Sequence, residues 1–230
     1  MENTPVPRLL LIGHGRMGRL VEILAGEHGC EIAAVVSRQS GRDSIAGDYG
    51  HVDVAIDFSL PDAVYDNVVA CARRQLNVVI GTTGWQTRED ALKLVADNGG
   101  IGVLASANFA LGMHVFRRVV GEAARHFAAM ENVAAWVHEK HHAAKKDAPS
   151  GTALTLKRAM ETAGYGRAID VSSTRAGSIP GTHEIGFDAS AETVTLTHTV
   201  RDRAVFAHGA LEAAKWLRGR RGWFTIDDML

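Results

Sequence analysis

At 230 residues, 46% apolar and 22% charged, the chain has an ordinary globular composition and length for one large domain or two small ones, either with a proper core. A formal net charge of −1 gives no electrostatic reason to expect nucleic acid or an anionic membrane as partner. No apolar run approaches the ~20 residues of a bilayer span, no signal pattern opens the chain, and Cys30 and Cys71 fit no metal or redox spacing, so both read as reduced, buried fillers of a cytoplasmic protein.

Arg8 to Ile12 reads as a buried strand, followed at once by GHGRMG. Gly13, Gly15 and Gly18 form G-x-G-x-x-G before a helix whose apolar face is expected to include Leu20, Ile23 and Leu24. The first glycine permits the tight turn, the second admits a pyrophosphate, and the third lets helix and strand approach. Alone the motif is weak; between a first strand and a second at Glu31 to Val36 it predicts dinucleotide binding. An NAD-selective site places an acid about 20 residues beyond the glycines. Here Ser37 and Arg38 stand there, which suits a 2′-phosphate, so NADPH is expected to serve at least as well as NADH. The plain alternative is that Arg38 is a solvated loop residue.

Val52 to Phe58 reads as a third strand, and residues 62–74 as a helix with Val64, Val68 and Cys71 on one side. Asn77 to Ile80 is a fourth strand, 88–97 a helix, and 101–105 a fifth strand. This alternation predicts a doubly covered parallel sheet, with ligands gathered at the carboxyl ends of its strands. The loops GHGRMG, DFS, GTTG (from Gly81) and SANF (from Ser106) all lie at such ends. Gly112 to about Met130 reads as a long helix with Val115, Val119 and Phe127 apolar, and Val133 to His138 as a strand.

Residues 139–154, EKHHAAKKDAPSGTAL, come next. His141, His142, Lys145 and Lys146 crowd together, and Ser150 stands as N-cap of a helix over 151–163 with Ala153, Leu156, Met160 and Ala163 at helical spacing. The Gly151 and Thr152 amides are then open donors, an anion cradle behind groups that can yield a proton. Each piece alone is more often a solvated surface or a common loop. After it the chain reads as strands at 169–174, 184–188 and 192–200, a second, mainly antiparallel or mixed α+β domain. In the last strand Val194, Leu196, His198 and Val200 share a face. Val205 to Leu217 is a helix with Phe206, Ala210, Ala213 and Trp216 apolar.

Together the motif resembles HHxxKxDAPSGTA of the 4-hydroxy-tetrahydrodipicolinate reductase (dihydrodipicolinate reductase) family, with every specified position met. The segment Arg175-Ala176-Gly177 and Pro180 to Glu184 is similar to the family's R-x-G…PGTHE loop, and Gly15-Arg16-Met17-Gly18 keeps its G-R-M-G. The family more usually has G-x-x-G-R-M-G, so this loop is one residue shorter between its first two glycines. The resemblance covers nearly the whole chain. It implies a Rossmann-type domain of residues 1–110 and 204–230, and a substrate and oligomerisation domain of 111–203. It implies NAD(P)H-dependent reduction of 4-hydroxy-tetrahydrodipicolinate to tetrahydrodipicolinate on the way to diaminopimelate and lysine.

His141 and Lys145 are then the acid candidates, and His142, Ser150, Gly151 and Thr152 the holders of a dicarboxylate substrate. Cofactor contacts are implied at Gly13, Gly15, Arg16, Met17, Gly18, Ser37, Arg38, Phe58, Gly81, Thr82, Thr83, Ala107, Asn108, Phe109, Arg203 and Phe206. Family members close a hinge over the substrate and assemble as homotetramers through the second domain's sheet. Three rival readings are a non-catalytic dinucleotide sensor, a metal-dependent hydrolase using His141, His142 and Glu139 or Asp147, and a semialdehyde dehydrogenase. The first leaves the 139–152 motif without a role. The second lacks His-x-x-x-His spacing, so no metal is expected. The third needs a reactive cysteine, which neither Cys30 nor Cys71 offers.

Overall fold

A computed structural model describes residues 5–37, 45 and 47–230; Arg38 therefore lies outside the described residues. The chain divides into two compact units, Met1–Leu111 with Ala204–Leu230, and Gly112–Arg203.

The first unit is a six-stranded sheet in the order β10-β5-β4-β3-β1-β2, every neighbouring pair parallel. Its strands are β1 (Arg8–Ile12), β2 (Glu31–Val36), β3 (Val54–Asp57), β4 (Asn77–Ile80), β5 (Gly102–Ala105) and β10 (Gly222–Phe224). Runs such as LLLI and NVVI leave no polar face, so helices must cover both sides. Successive side chains divide accordingly. Leu9, Leu11, Val54, Ile56, Val79 and Leu104 join a core with α1 (Arg16–Leu24) and α6 (Ala204–Leu217). Leu10, Ile12, Ala55, Val78, Ile80 and Val103 join another with α2 (Val64–Arg73) and α3 (Glu89–Gly99). Cys30 and Cys71 are buried, one in each core, both as thiols. The α6 backbone comes so close that a Cβ on Gly209 would lie 1.8 Å from the Phe109 carbonyl oxygen.

The expected face of α1 needs correction. Gly18 and Val21 are its buried residues, Leu20 and Leu24 are half-buried, and Ile23 is 71% exposed. Gly18 fixes the rotation: a Cβ there would sit 2.2 Å from the Gly13 carbonyl oxygen, so only the glycine's side of the helix can approach the strand end. Two elements went unforeseen. The three residues of β10 are too few for a period to register, yet they extend the sheet beside β5. The short α7 (Ile226–Met229) then starts where the Thr225 amide donates to Asp228 Oδ2 at 2.7 Å.

The second unit runs from α4 (Leu111–Ala128) through β6 (Ala134–His141), α5 (Gly151–Thr162), β7 (Ile169–Arg175), β8 (Thr182–Asp188) and β9 (Thr193–Thr199). Its sheet has the order β7-β6-β8-β9, with β6 parallel to β7 and the other pairs antiparallel. Val115 and Val119, expected to face the core, are each 48% exposed; Met113, Val120 and Ala124 are buried instead, and Phe127 stacks on Phe187 at 4.4 Å. The α4 sequence carries apolar residues on two stripes, and packing against this sheet selects one. In β6 the side chains alternate, with Ala135, Val137 and Glu139 inward. Among the described residues no helix is long and apolar enough to cross a membrane.

Candidate active site

In the first unit the glycines divide by what surrounds them. Gly13 has φ +91°, and a Cβ on it would lie 2.4 Å from the Phe58 carbonyl oxygen. Its amide donates to Val36 at 2.9 Å, closing the turn after β1. Gly15 is the N-cap of α1, makes no side-chain cap, and would place a Cβ in space with no protein atom within 4 Å. The fold demands Gly13 and Gly18; it makes no such demand at Gly15. An open, uncapped helix start beside a cleft of about 610 Å³ lined by Gly13, His14, Gly15, Ser37, Phe58 and Asn67 fits the pyrophosphate and ribose of a dinucleotide.

Asp57, which the sequence reading passed over, organises the neighbouring loops. Its carboxylate is fully buried and accepts from the Ser59 amide (2.8 Å), Asn67 Nδ2 (2.8 Å) and the Thr82 hydroxyl (3.0 Å). Thr82 therefore spends its side chain on the scaffold, and its carbonyl accepts from Trp85 Nε1 at 2.7 Å. Thr83 is exposed. Gly81 is needed because a Cβ would lie 2.1 Å from the Phe58 ring. After β5, the Ser106 hydroxyl donates to the Asn108 carbonyl at 2.7 Å and Asn108 Oδ1 accepts from the Ala110 amide at 2.8 Å. Ala107 is exposed, whereas Phe109 is only 2% exposed, its ring edge-on to Phe58. Arg16 is exposed, while Met17 and Phe206 pack partly buried on the α1–α6 core.

In the second unit β6 delivers the histidine motif and α5 the cradle. Ser150 caps α5 as expected, its hydroxyl accepting from the Ala153 amide at 3.2 Å. The expectation of two open donors needs correction: at this helix N-terminus the Gly151 amide donates to the Asp147 carboxylate, while a Cβ on Gly151 would meet nothing within 4 Å. Ahead of the cradle, Lys145 is half-buried with its ammonium 2.7 Å from Asp147 Oδ1. Arg203, implied on the cofactor, has its guanidinium 3.4 Å from His142 Nε2. Lys140 points to the other side of β6, where Glu184 neutralises it at 3.0 Å.

The sheet register assembles a cluster that the sequence reading did not. Glu139 pairs across to His183 on β8, and His141 to Arg175 on β7. Glu139 is fully buried; one oxygen meets His141 Nδ1, and the other accepts from Arg175 Nη2 at 2.6 Å and from the Ser150 amide at 3.3 Å. Burial alone would raise this carboxyl, but hydrogen bonds from Arg175, Ser173 and His141 outweigh it and hold it at about 2. Burial pushes His141 below the ordinary histidine value, helped by the Lys145 and Arg175 charges and opposed by Glu139. His183, 3% exposed, stands 3.3 Å from the Ser150 hydroxyl and edge-on to the His141 ring; burial, then the charge of His141, lowers it to about 4.

Donor atoms of Glu139, His141 and His183 lie within 4.8 Å of one another, a spacing that a metal ion could use. Arg175 already places positive charge on Glu139 there, so the surroundings fit a proton-handling cluster better than a cation site. The signal for Glu139 was present in the alternation of β6, which sets it in the inward row after Ala135 and Val137.

Comparisons with known proteins extend over nearly the whole chain. Residues 7–109 match the family described as dihydrodipicolinate reductase, N-terminus, and residues 112–230 match dihydrodipicolinate reductase, C-terminus. The 4-hydroxy-tetrahydrodipicolinate reductase of Stenotrophomonas maltophilia is 36% identical over 100% of both chains. That of Caldanaerobacter subterraneus subsp. tengcongensis is 36% identical over 97% of this chain and 98% of its own. The dipicolinate-bound dihydrodipicolinate reductase from Paenisporosarcina sp. TG-14 shares the fold, with a TM-score of 0.79 at 21% identity over 98% of this chain and 100% of that one. These relatives favour catalysis over mere dinucleotide sensing. The parallel sheet with its glycine cleft, the HHxxKxDAPSGTA segment on β6 and α5, and full-length relatives place this chain in the 4-hydroxy-tetrahydrodipicolinate reductase family of oxidoreductases.

Proposed function

We propose that this protein reduces 4-hydroxy-tetrahydrodipicolinate to tetrahydrodipicolinate with NADPH or NADH, with loss of the ring hydroxyl as water. The observation that carries the reading is the α5 N-terminus, an anion cradle that already holds the Asp147 carboxylate and follows His141, His142 and Lys145 in the chain. The first unit holds the dinucleotide and the second the substrate. When bound, the reduced nicotinamide supplies the hydride. The Gly151 and Thr152 amides take one substrate carboxylate on the helix end, with His142 and Lys145 adding positive charge. Ser150 shapes that cradle by satisfying the Ala153 amide. Hydride arrival leaves negative charge on the ring, which must be protonated. The Gly151 amide and Lys145 exchange Asp147 for the substrate, and Lys145 stands with His141 as the proton source.

Ser37, which lines the cleft, and Arg38 after it in the sequence suit a 2′-phosphate, so NADPH serves at least as well as NADH. A homotetramer, formed through the second unit's sheet, covers the β9 row, where Val194 is 38% exposed and Leu196 half-buried. A cytoplasmic location accords with two unpaired thiols. The test generates the unstable substrate in place, from pyruvate and aspartate semialdehyde with the preceding aldolase, and follows NADPH absorbance. Cofactor oxidation that survives dialysis against a chelator is expected; no oxidation above the aldolase-free control would sink the reading.

A further inference from the structure

Glu139 is a carboxylate in a core position. It follows Ala135 and Val137 on the inward row of β6 and is fully buried, a placement that costs several kcal/mol unless the charge is paired. Its partners include His141 Nδ1, Arg175 Nη2, the Ser150 amide and Ser173, so it touches both the proposed proton source and the N-cap of the cradle helix.

We infer that Glu139 is a positioning residue for this reaction: it fixes His141 with a proton on Nδ1 and an open lone pair on Nε2, and ties that ring to the start of the substrate cradle. The inference rests on the proposed role of His141 and extends it. An ionised carboxylate only accepts, and Arg175 on its other oxygen keeps it ionised. The bond to His141 therefore requires hydrogen on Nδ1, which leaves Nε2 of the neutral ring as an acceptor. The surroundings keep Nε2 accessible. A Cβ on Gly181 would lie 3.1 Å from it, so the glycine leaves the room that any side chain would fill. His183 bounds the ring edge-on at 5.2 Å without adding a fixed charge. His141 then acts as an acid only after loading a proton at Nε2, and the Glu139 charge stabilises the imidazolium that results.

Two measurements test this on the full-length protein. The first is ¹⁵N NMR of histidine-labelled wild type, with the His141 signal assigned by its loss in His141→Ala. The neutral ring is expected as the Nδ1–H tautomer; an Nε2–H tautomer overturns the inference, whatever the substrate proves to be. The second is the pH profile of kcat for Glu139→Gln. Loss of the charge should lower kcat by ~10²-fold, the low end for a lost general acid. The alkaline limb should move down by about one pH unit or more, with KM for the ring little changed. A reduced kcat with an unmoved limb means that Glu139 only supports the fold and overturns the inference. Should Glu139→Gln fail to fold, the wild-type tautomer decides alone. Absence of turnover in wild type counts against the proposed function, and the tautomer still reports on the wiring.

Discussion

The two helices that open onto anion cradles begin differently. α1 starts at Gly15 with no side-chain cap at its N-terminus. α5 starts at Ser150, whose hydroxyl takes the Ala153 amide, while the Asp147 carboxylate takes that of Gly151. The first cradle is completed by what binds there; the second is built beforehand and connected through the Ser150 amide to a buried carboxylate. A large, flexible dinucleotide can supply many contacts and tolerate a soft seat. A small dicarboxylate that must meet a proton donor needs its seat fixed in advance.

The comparison predicts that turnover depends on the α5 side. Lys145→Ala and His141→Ala should each lower the single-turnover rate by ~10²–10⁴-fold at saturating substrate and NADPH, with cofactor affinity unchanged. Retention of more than about a tenth of the wild-type rate in both variants, far above that floor, would leave the motif as a binding site only. For Lys145→Ala the Michaelis constant should rise as well, since that side chain also holds a carboxylate.

Substitutions at the glycines separate fold from ligand on the α1 side. Gly13→Ala puts a Cβ 2.4 Å from backbone at φ +91° and should lose about 2–4 kcal/mol in urea unfolding. Gly15→Ala meets no protein atom, so stability should hold while the cofactor Michaelis constant rises ~10-fold or more through contact with the pyrophosphate. Equal stability losses in the two would erase the distinction drawn between them.

Acid should act on the α5 side, where His183 touches the Ser150 cap. The unfolded ring takes a proton near pH ~6.5, the folded one only at about 4. Between those values the unfolded state binds more protons, so stability is complete above the upper value and falls as pH drops through the window. The loss is on the order of 3 kcal/mol. Glu139 extends it: its stabilisation is present above the ordinary carboxylate value and is lost as pH falls towards about 2. Urea midpoints of His183→Gln against wild type should converge as pH falls to 4, and a parallel displacement at all pH values would refute the assignment.

A smaller effect belongs to the cofactor's far end. Arg38→Ala should weaken NADPH binding by ~1.5–3 kcal/mol and leave NADH nearly unchanged, measured by fluorescence titration; equal losses would show no contact with the 2′-phosphate. Smallest of all, Ser150→Ala should cost about 1 kcal/mol of stability. No cap comparable to Ser150 exists at α1 to remove.

What the sequence determined by itself was whatever depends on neighbours along the chain. Strands β1, β2 and β4 lie where period and punctuation put them, Ser150 caps α5, Gly164 takes φ +97° just beyond it, and the glycines of GHGRMG turn into α1. Each follows from spacing, capping chemistry or a conformation that glycine tolerates. Tertiary structure decided what depends on register and contact. It chose Val21 over Ile23 on α1 and Val120 over Val115 and Val119 on α4, because each helix carries more apolar positions than one face can bury. It placed β10 against β5 although three residues carry no period. It brought Glu139, His141, Arg175 and His183 together from β6, β7 and β8, with Arg203 against His142. Those groups are separated by up to some sixty positions in the chain, from 139 to 203. Only strand pairing and packing bring them within hydrogen-bonding reach, and both are settled by the whole core.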